Sequence, residues 1–148
     1  GPDMRRFQRT LARVQESFEE ISNDQAVRDG KRALLLDRGL MDNAAYLPGG
    51  IDTLEELLGT RRHNIFNRYQ IVLSLSTAPR GVYDQALADH PARRETYEQA
   101  LERAARTREV WSGHPWLVPI NEDLFEDKVR EVEETIEYFL ELAATPHR

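Results

Sequence analysis

Residues 33–42 read Ala-Leu-Leu-Leu-Asp-Arg-Gly-Leu-Met-Asp, an apolar run followed directly by charged residues and a glycine. The run 33–36 is continuously apolar and lacks the alternation of a strand that has one face in water. Such a run predicts a strand buried on both faces, as in parallel sheets. The charged residues Asp37 and Arg38 follow at the predicted carboxyl end of that strand.

Two later apolar runs, 71–75 and the weaker 117–120, predict further strands. Pro119 in the weaker run favours a strand end or a sheet edge, because proline cannot donate a ladder hydrogen bond. Helical patterns separate the three runs. Short buried strands alternating with helices predict an α/β fold, helix-rich, with about three parallel strands.

Four segments are predicted as helices from their apolar spacing and their terminal residues. They span about 5–28, 52–58, 91 or 92 to 111, and 123–144. The first carries an apolar stripe with spacings of 4, 3, 4 and 3, formed by Phe7, Leu11, Val14, Phe18 and Ile21. The last carries a similar stripe from Phe125 to Ala143. We expect these stripes to pack within one chain or, as the alternative, across a dimer.

Composition limits the possible functions. The 148 residues are 40% apolar and 31% charged, which is typical of one soluble globular domain. Residues 1–3 resemble the scar of a protease cleavage, so we expect residues 4–148 to form this domain. The net charge of −6 disfavours nucleic acid as a partner. No apolar run approaches the roughly 20 residues that cross a bilayer, so no membrane partner is expected. Without a signal-peptide pattern the expected location is cytoplasmic, and without cysteine disulfides are excluded.

The first candidate site residues follow the first apolar run. Ligands of open parallel α/β sheets bind beyond the carboxyl ends of the strands. A carboxylate there, such as Asp37, can hold a Mg²⁺ shell or accept a hydroxyl proton. The neighbouring Arg38 can neutralise phosphate. The alternative is that residues 37–39 form a simple turn with an ion pair.

Later residues add an arginine pair and an asparagine. Arg93 and Arg94 stand at a predicted helix start, where the partial positive charge of the helix disfavours cations. An anion explains them, as would carboxylates such as Asp89 and Glu95, and a solvated basic patch is the alternative. Asn121 ends the third run and is a candidate cofactor-binding residue, although capping of the final helix fits it better.

The stretch from Leu34 to Tyr46, with its Asp-Arg-Gly, Asp and Ala-Tyr elements, resembles a segment of the AAA-like P-loop ATPase/kinase family. That family is related to nicotinamide riboside kinase domains and, more distantly, to deoxynucleoside and thymidylate kinases. Residues 69–75 resemble its next strand, 83–95 its lid, and 114–128 its last strand and last helix. The resemblance covers most of residues 5–142 in the same order.

The resemblance implies NTP-dependent phosphoryl transfer or NTP hydrolysis, with Mg²⁺ and ATP or GTP as cofactors. In that scheme Asp37 is the Mg²⁺-associated or hydroxyl-activating carboxylate, and Arg38 contacts phosphate or substrate. The resemblance also implies lid arginines at Arg93 and Arg94, and residues facing the acceptor at Asp42 and Tyr46.

The sequence contains no Gly-x-x-x-x-Gly-Lys-Ser/Thr phosphate loop. The chain therefore resembles the later portion of the family, and we expect a truncated or degenerate protein with little or no catalysis alone. The family's first strand would lie between the runs 33–36 and 71–75. We expect a rearranged sheet, a homodimer, or a missing N-terminal segment that covers the open sheet edge. The alternative function is a non-catalytic dimerisation or protein-interaction module.

Overall fold

The structure, a computed structural model, describes residues 1–145, and residues 146–148 at the end of the predicted domain lie outside the described part. The chain divides into two compact units, Gly1–Gln70 and Ile71–Arg148. None of the helices within residues 1–145 has both the length and the apolarity that crossing a bilayer requires.

The first unit is helical. It contains α1 (Pro2–Arg28), a 3₁₀ helix (Leu40–Ala45), α2 (Gly50–Leu58) and α3 (Arg62–Phe66). The predicted first helix is confirmed, and it is followed by Gly30, whose φ of 65° lies in the left-handed region that favours glycine. The largest fully buried side chains of this unit come from the 3₁₀ helix, α2 and α3: Leu40, Met41, Leu54, Leu57 and Ile65.

The helix predicted at 52–58 is also present, but it starts earlier. α2 begins at Gly50, so Asp52, the first residue of the predicted helix, lies inside the helix and does not cap it. Gly49 precedes the helix with a φ of 88°, which a residue with a side chain would adopt only under strain. Gly59 ends α2 in the left-handed conformation.

The run 33–36 is not a strand, so the prediction of a first strand is wrong. Leu34 and Leu35 are 37% and 70% exposed, although such a run is usually buried. A strand needs a neighbour for its backbone N–H and C=O groups, and no strand pairs with this run within residues 1–145. The run has the composition of a strand, but no strand among residues 1–145 lies beside it to form a sheet.

The second unit contains the sheet. Its elements are β1 (Val72–Leu75), α4 (Arg80–Asp89), α5 (Tyr97–Trp111), β2 (Leu117–Ile120) and α6 (Phe125–Ala144). β1 and β2 pair in parallel, with Val72 opposite Leu117 and Leu75 opposite Ile120. The helix-rich α/β class with a parallel sheet is confirmed, but the described chain has two strands and not about three.

Three helix starts in this unit differ from the predictions. α4 lies where no helix is predicted, and it follows Pro79, since proline is well tolerated just before a helix. α5 begins at Tyr97, where Thr96 provides the cap, so Arg93 and Arg94 lie in the preceding loop and not at a helix start. The cap residue of α6 is Leu124, and no side chain caps that helix. The interpretation of Asn121 as its cap is therefore wrong.

Candidate functional site

The turn at residues 37–39 has an unusual backbone. Arg38 has a φ of 71° and is the only residue other than glycine with a positive φ in residues 1–145. The left-handed conformation costs a residue with a side chain about 1–2 kcal/mol. The side chains of Asp37 and Arg38 are both exposed, while Gly39 is buried. A strained turn that presents a carboxylate and a guanidinium to solvent must be held by its surroundings.

Two hydrogen bonds hold the backbone that follows the turn. The amide of Gly39 donates to Asp42 Oδ2 at 2.6 Å. The amide of Leu40 donates to the hydroxyl oxygen of Tyr69 at 2.7 Å. Both amides are therefore fixed by side chains rather than by a neighbouring strand.

A buried carboxylate lies behind the Tyr69 hydroxyl. Glu19 of α1 is 6% exposed, and the Tyr69 hydroxyl lies 2.6 Å from its Oε1 and 3.0 Å from its Oε2. Burial, and next the hydrogen bond to Glu19, raise the pKa of Tyr69 well above its usual range. The neutral tyrosine is thus held as a donor to Glu19 and an acceptor from Leu40.

Arg68 compensates the charge of this carboxylate. Its Nη2 lies 3.4 Å from Glu19 Oε1, and its Nη1 lies 3.3 Å from Glu20 Oε1. Its Nε is buried without a hydrogen-bond partner among the described residues. Sequence reasoning missed Glu19, Arg68 and Tyr69. The one available signal was Glu19, a charged residue directly beside the apolar stripe of α1.

A second connection joins α1 to the 3₁₀ helix. Asn43 Nδ2 donates to Gln15 Oε1 at 2.8 Å and to the Leu40 carbonyl oxygen at 2.9 Å. α1 therefore acts as the support on which the segment 39–45 is held. Tyr46 follows this segment and is 49% exposed, so its ring is available to a ligand.

In the second unit, α4 and α5 carry several arginines around two tyrosines. The guanidinium carbon of Arg80 lies 4.7 Å from the ring centroid of Tyr97, a cation–π contact. Arg80 also pairs with Glu98, and this contact lowers the pKa of the Glu98 carboxyl. The rings of Tyr83 and Tyr97 are 5.6 Å apart.

Glu95, the carboxylate that follows the arginine pair in the sequence, already has partners. Glu95 Oε2 lies 3.0 Å from Arg103 Nη1, and the Tyr83 hydroxyl donates to the Glu95 carbonyl oxygen at 3.1 Å. Neither Arg93 nor Arg94 has a carboxylate partner within residues 1–145, and both are exposed. Neither Asp89 nor Glu95 therefore neutralises the charge of this arginine pair. An external anion or exposure to solvent remains as the explanation of the pair.

The carboxyl end of the sheet carries a residue that sequence reasoning missed. Lys128 of α6 is 9% exposed, and its Nζ donates to the Ser76 carbonyl oxygen at 2.7 Å. Ser76 follows β1, and its amide donates to the Ile120 carbonyl oxygen at 2.9 Å, so the two strand ends lie together. Asn121 comes next after β2 and is exposed. The available signal was position, because a lysine three residues after Phe125 falls on the apolar stripe of α6.

The exposed carboxylate of Asp37 can serve as one ligand of a divalent cation. No cluster of three or more His, Cys, Asp or Glu residues that could hold a metal ion is present in residues 1–145. Mg²⁺ is usually held by one or two carboxylates together with phosphate oxygens and water, so a single aspartate fits that mode. The backbone cradle of a phosphate loop has no counterpart in the sequence.

A family model shows what the chain is similar to. The model of a family described as an AAA domain matches residues 2–128. This range includes the turn at 37–39, the sheet and the loop between α4 and α5. No curated protein and no solved structure matches the chain.

Proposed function

Because the chain belongs to the AAA domain family, we propose that it is a truncated or degenerate relative of P-loop NTPases and kinases with little or no catalysis alone. Its function in this proposal is NTP binding or phosphoryl transfer with Mg²⁺ and ATP or GTP. The observation that carries the proposal is the strained turn at Arg38. Two half-buried hydrogen-bonding side chains, Asp42 and Tyr69, support this turn, and it exposes Asp37 and Arg38 together.

Each side chain of the turn has a distinct task in this proposal. Asp37 binds Mg²⁺ directly or through water, or accepts the proton of an attacking hydroxyl. Arg38 contacts phosphate oxygens, for which a guanidinium is well suited. Asp42 maintains the turn by accepting from Gly39, and the exposed ring of Tyr46 faces the phosphoryl acceptor.

The loop between α4 and α5 carries two further residues to which the proposal gives a role. Arg93 and Arg94 are exposed and carry positive charge without a carboxylate partner among the described residues. Catalysis of phosphoryl transfer depends on positioning and on stabilising the charge of the transferred group. We assign these two arginines to that charge stabilisation, and Asn121 to contact with the nucleotide.

Low activity of the chain alone follows from what the sequence lacks. A phosphate loop supplies backbone N–H groups and a lysine to the β and γ phosphates, and no such loop is present. The second edge of β1 has no strand beside it within residues 1–145. A preceding segment with a strand and a phosphate loop would provide both the cradle and a neighbour for β1.

Calorimetric titration with Mg-ATP and Mg-GTP tests the proposal. We expect the chain alone to bind with a dissociation constant of about 1 mM or weaker. A chain extended by a strand and a Gly-x-x-x-x-Gly-Lys-Ser/Thr segment is expected to bind more tightly and to turn over NTP. In that extended chain, Asp37→Asn should lower turnover by about 100-fold or more, because a positioned acid-base or metal-binding carboxylate is lost.

Asp24→Asn serves as the matched control, because Asp24 is an exposed acid of α1 outside the proposed site. It should leave turnover unchanged. Turnover that is equally insensitive to Asp37→Asn and to the double change of Arg93 and Arg94 to alanine would contradict the assigned roles. Micromolar nucleotide binding by the chain alone would contradict the weak binding that we propose for it.

A further inference from the structure

α1 presents an apolar stripe that is exposed along most of the helix. Six side chains at spacings of 3 and 4 residues are 50–66% exposed: Met4, Phe7, Leu11, Val14, Phe18 and Ile21. Thr10 and Ser17 border the shallow groove over the middle of this stripe. An exposed apolar patch of this size and periodicity marks an interaction surface.

A second face of α1, next to the stripe, is already occupied. Ala12 and Glu19 are 1% and 6% exposed, and Gln15 bonds to Asn43 of the 3₁₀ helix. The orientation of the helix is therefore fixed by contacts within the first unit. The stripe cannot be buried by rotation of α1 without breaking the Glu19–Tyr69 and Gln15–Asn43 hydrogen bonds.

The charges of α1 are divided between its two halves. The first half carries four arginines and one acid, and the second half carries four acids and one arginine. These residues are Asp3, Arg5, Arg6, Arg9 and Arg13, followed by Glu16, Glu19, Glu20, Asp24 and Arg28, of which Glu19 is buried against the first unit. A parallel second α1 would place like charges side by side, whereas an antiparallel one would place the basic half against the acidic half.

The stripe itself fits the same arrangement. In an antiparallel pair of α1 helices whose twofold axis passes between Ala12 and Arg13, residues of one stripe meet residues of the other in apolar layers. There are three different layers, and the symmetry repeats each of them once. These layers pair Met4 with Ile21, Phe7 with Phe18, and Leu11 with Val14. With about 100 Å² for each exposed side chain, the six offer roughly 600 Å² per copy, close to the ~800 Å² per partner of a standard interface.

We infer that the occupant of the α1 stripe is a second copy of this chain, bound antiparallel to form a twofold symmetric dimer. The inference does not depend on nucleotide binding. The α1 stripe would be the surface of the dimerisation that the sequence analysis gave as an alternative function.

Sedimentation equilibrium and light scattering test the dimer. We expect a mass of about twice 17.1 kDa at high protein concentration, with a dissociation constant in the range of about 10 μM. Val14→Glu should weaken association at least tenfold, because it places a charge in the central layer. Val27→Glu is the matched control, because Val27 is 70% exposed on the same helix but lies off the stripe.

Orientation is tested by cross-linking, since the chain has no cysteine of its own. A mixture of Met4→Cys and Ile21→Cys chains should form a disulfide-linked pair on mild oxidation, whereas neither variant alone should. Raising the salt from about 50 to 500 mM should weaken association several-fold, because opposite charges are screened.

A monomer at all concentrations up to about 1 mM would overturn the inference. A dimer that Val14→Glu and Val27→Glu weaken equally, or not at all, would also overturn it. Efficient linkage of Ile21→Cys chains to one another would overturn the antiparallel arrangement. Circular dichroism of each variant confirms that the helices are intact, so that a loss of association is not a loss of folding.

Discussion

Tyr69 connects three parts of the first unit through one hydroxyl group. It donates to the buried Glu19 and accepts from the Leu40 amide next to the strained turn. Tyr69→Phe keeps the ring but leaves that amide and that carboxylate without the hydroxyl. We expect the free energy of unfolding to fall by about 1–3 kcal/mol, measured by urea denaturation. An unchanged value would mean that the hydroxyl does not stabilise the turn.

The same residue predicts a dependence of stability on pH. Burial and the hydrogen bond to Glu19 raise the folded-state pKa of Tyr69 above the value of about 10 for an unfolded tyrosine. The stabilisation is fully present below about pH 10 and is lost as the pH rises towards the folded pKa, because the unfolded chain releases its proton first. The free energy of unfolding should fall more steeply above about pH 10 in the wild type than in Tyr69→Phe. Tyr138→Phe, at a 62% exposed position, should keep the wild-type slope.

Arg38 allows backbone strain to be separated from side-chain function. Arg38→Gly removes the left-handed penalty and should keep or raise the free energy of unfolding by up to about 1 kcal/mol. Arg38→Val should lower it by about 1–2 kcal/mol, because a β-branched residue tolerates a positive φ poorly. Urea denaturation of both variants measures this difference. If glycine is as destabilising as valine, the guanidinium itself stabilises the turn.

α5 shows how a local sequence signal fixes where a helix begins. The Thr96 hydroxyl accepts from the Gln99 amide at 3.2 Å, and Gln99 Oε1 accepts from the Thr96 amide at 2.8 Å. Thr96→Ala removes one half of this capping box and should lower the free energy of unfolding by about 1 kcal/mol in urea denaturation. Gln99→Glu keeps the acceptor and should have a much smaller effect.

The three apolar runs show what periodicity can and cannot predict. The runs at 71–75 and 117–120 contain the two strands because each is the neighbour of the other. The run at 33–36 has a similar composition but no strand beside it among the described residues, and it is irregular. An apolar run therefore identifies a segment that can form a strand. Whether it does so depends on a second strand that lies beside it, and the composition of the run does not show whether one is there.

Across the whole chain, two exposed loops are the expected sites of first cleavage by trypsin. Lys31 and Arg32 precede the irregular run, and Arg93 and Arg94 precede α5; all four are exposed and outside helices and strands. Loops of this kind adapt to a protease, whereas helices do not. Mass spectrometry of early fragments should show cuts there before any cut after Arg13 in α1. Early cleavage within α1 would contradict the expectation that this helix resists the protease longer than the two loops.

The amino-acid sequence by itself determined the α/β class, the extent of α1 and the candidate residues of the turn, because these depend on local periodicity and on neighbours along the chain. The strained backbone of Arg38, the buried Glu19–Tyr69 pair and the buried Lys128 were decided only by the tertiary structure. Glu19 and Tyr69 are 50 residues apart in the chain, and Lys128 and Ser76 are 52 apart. No local pattern specifies such contacts, since burial and hydrogen bonding between distant residues depend on how the elements pack.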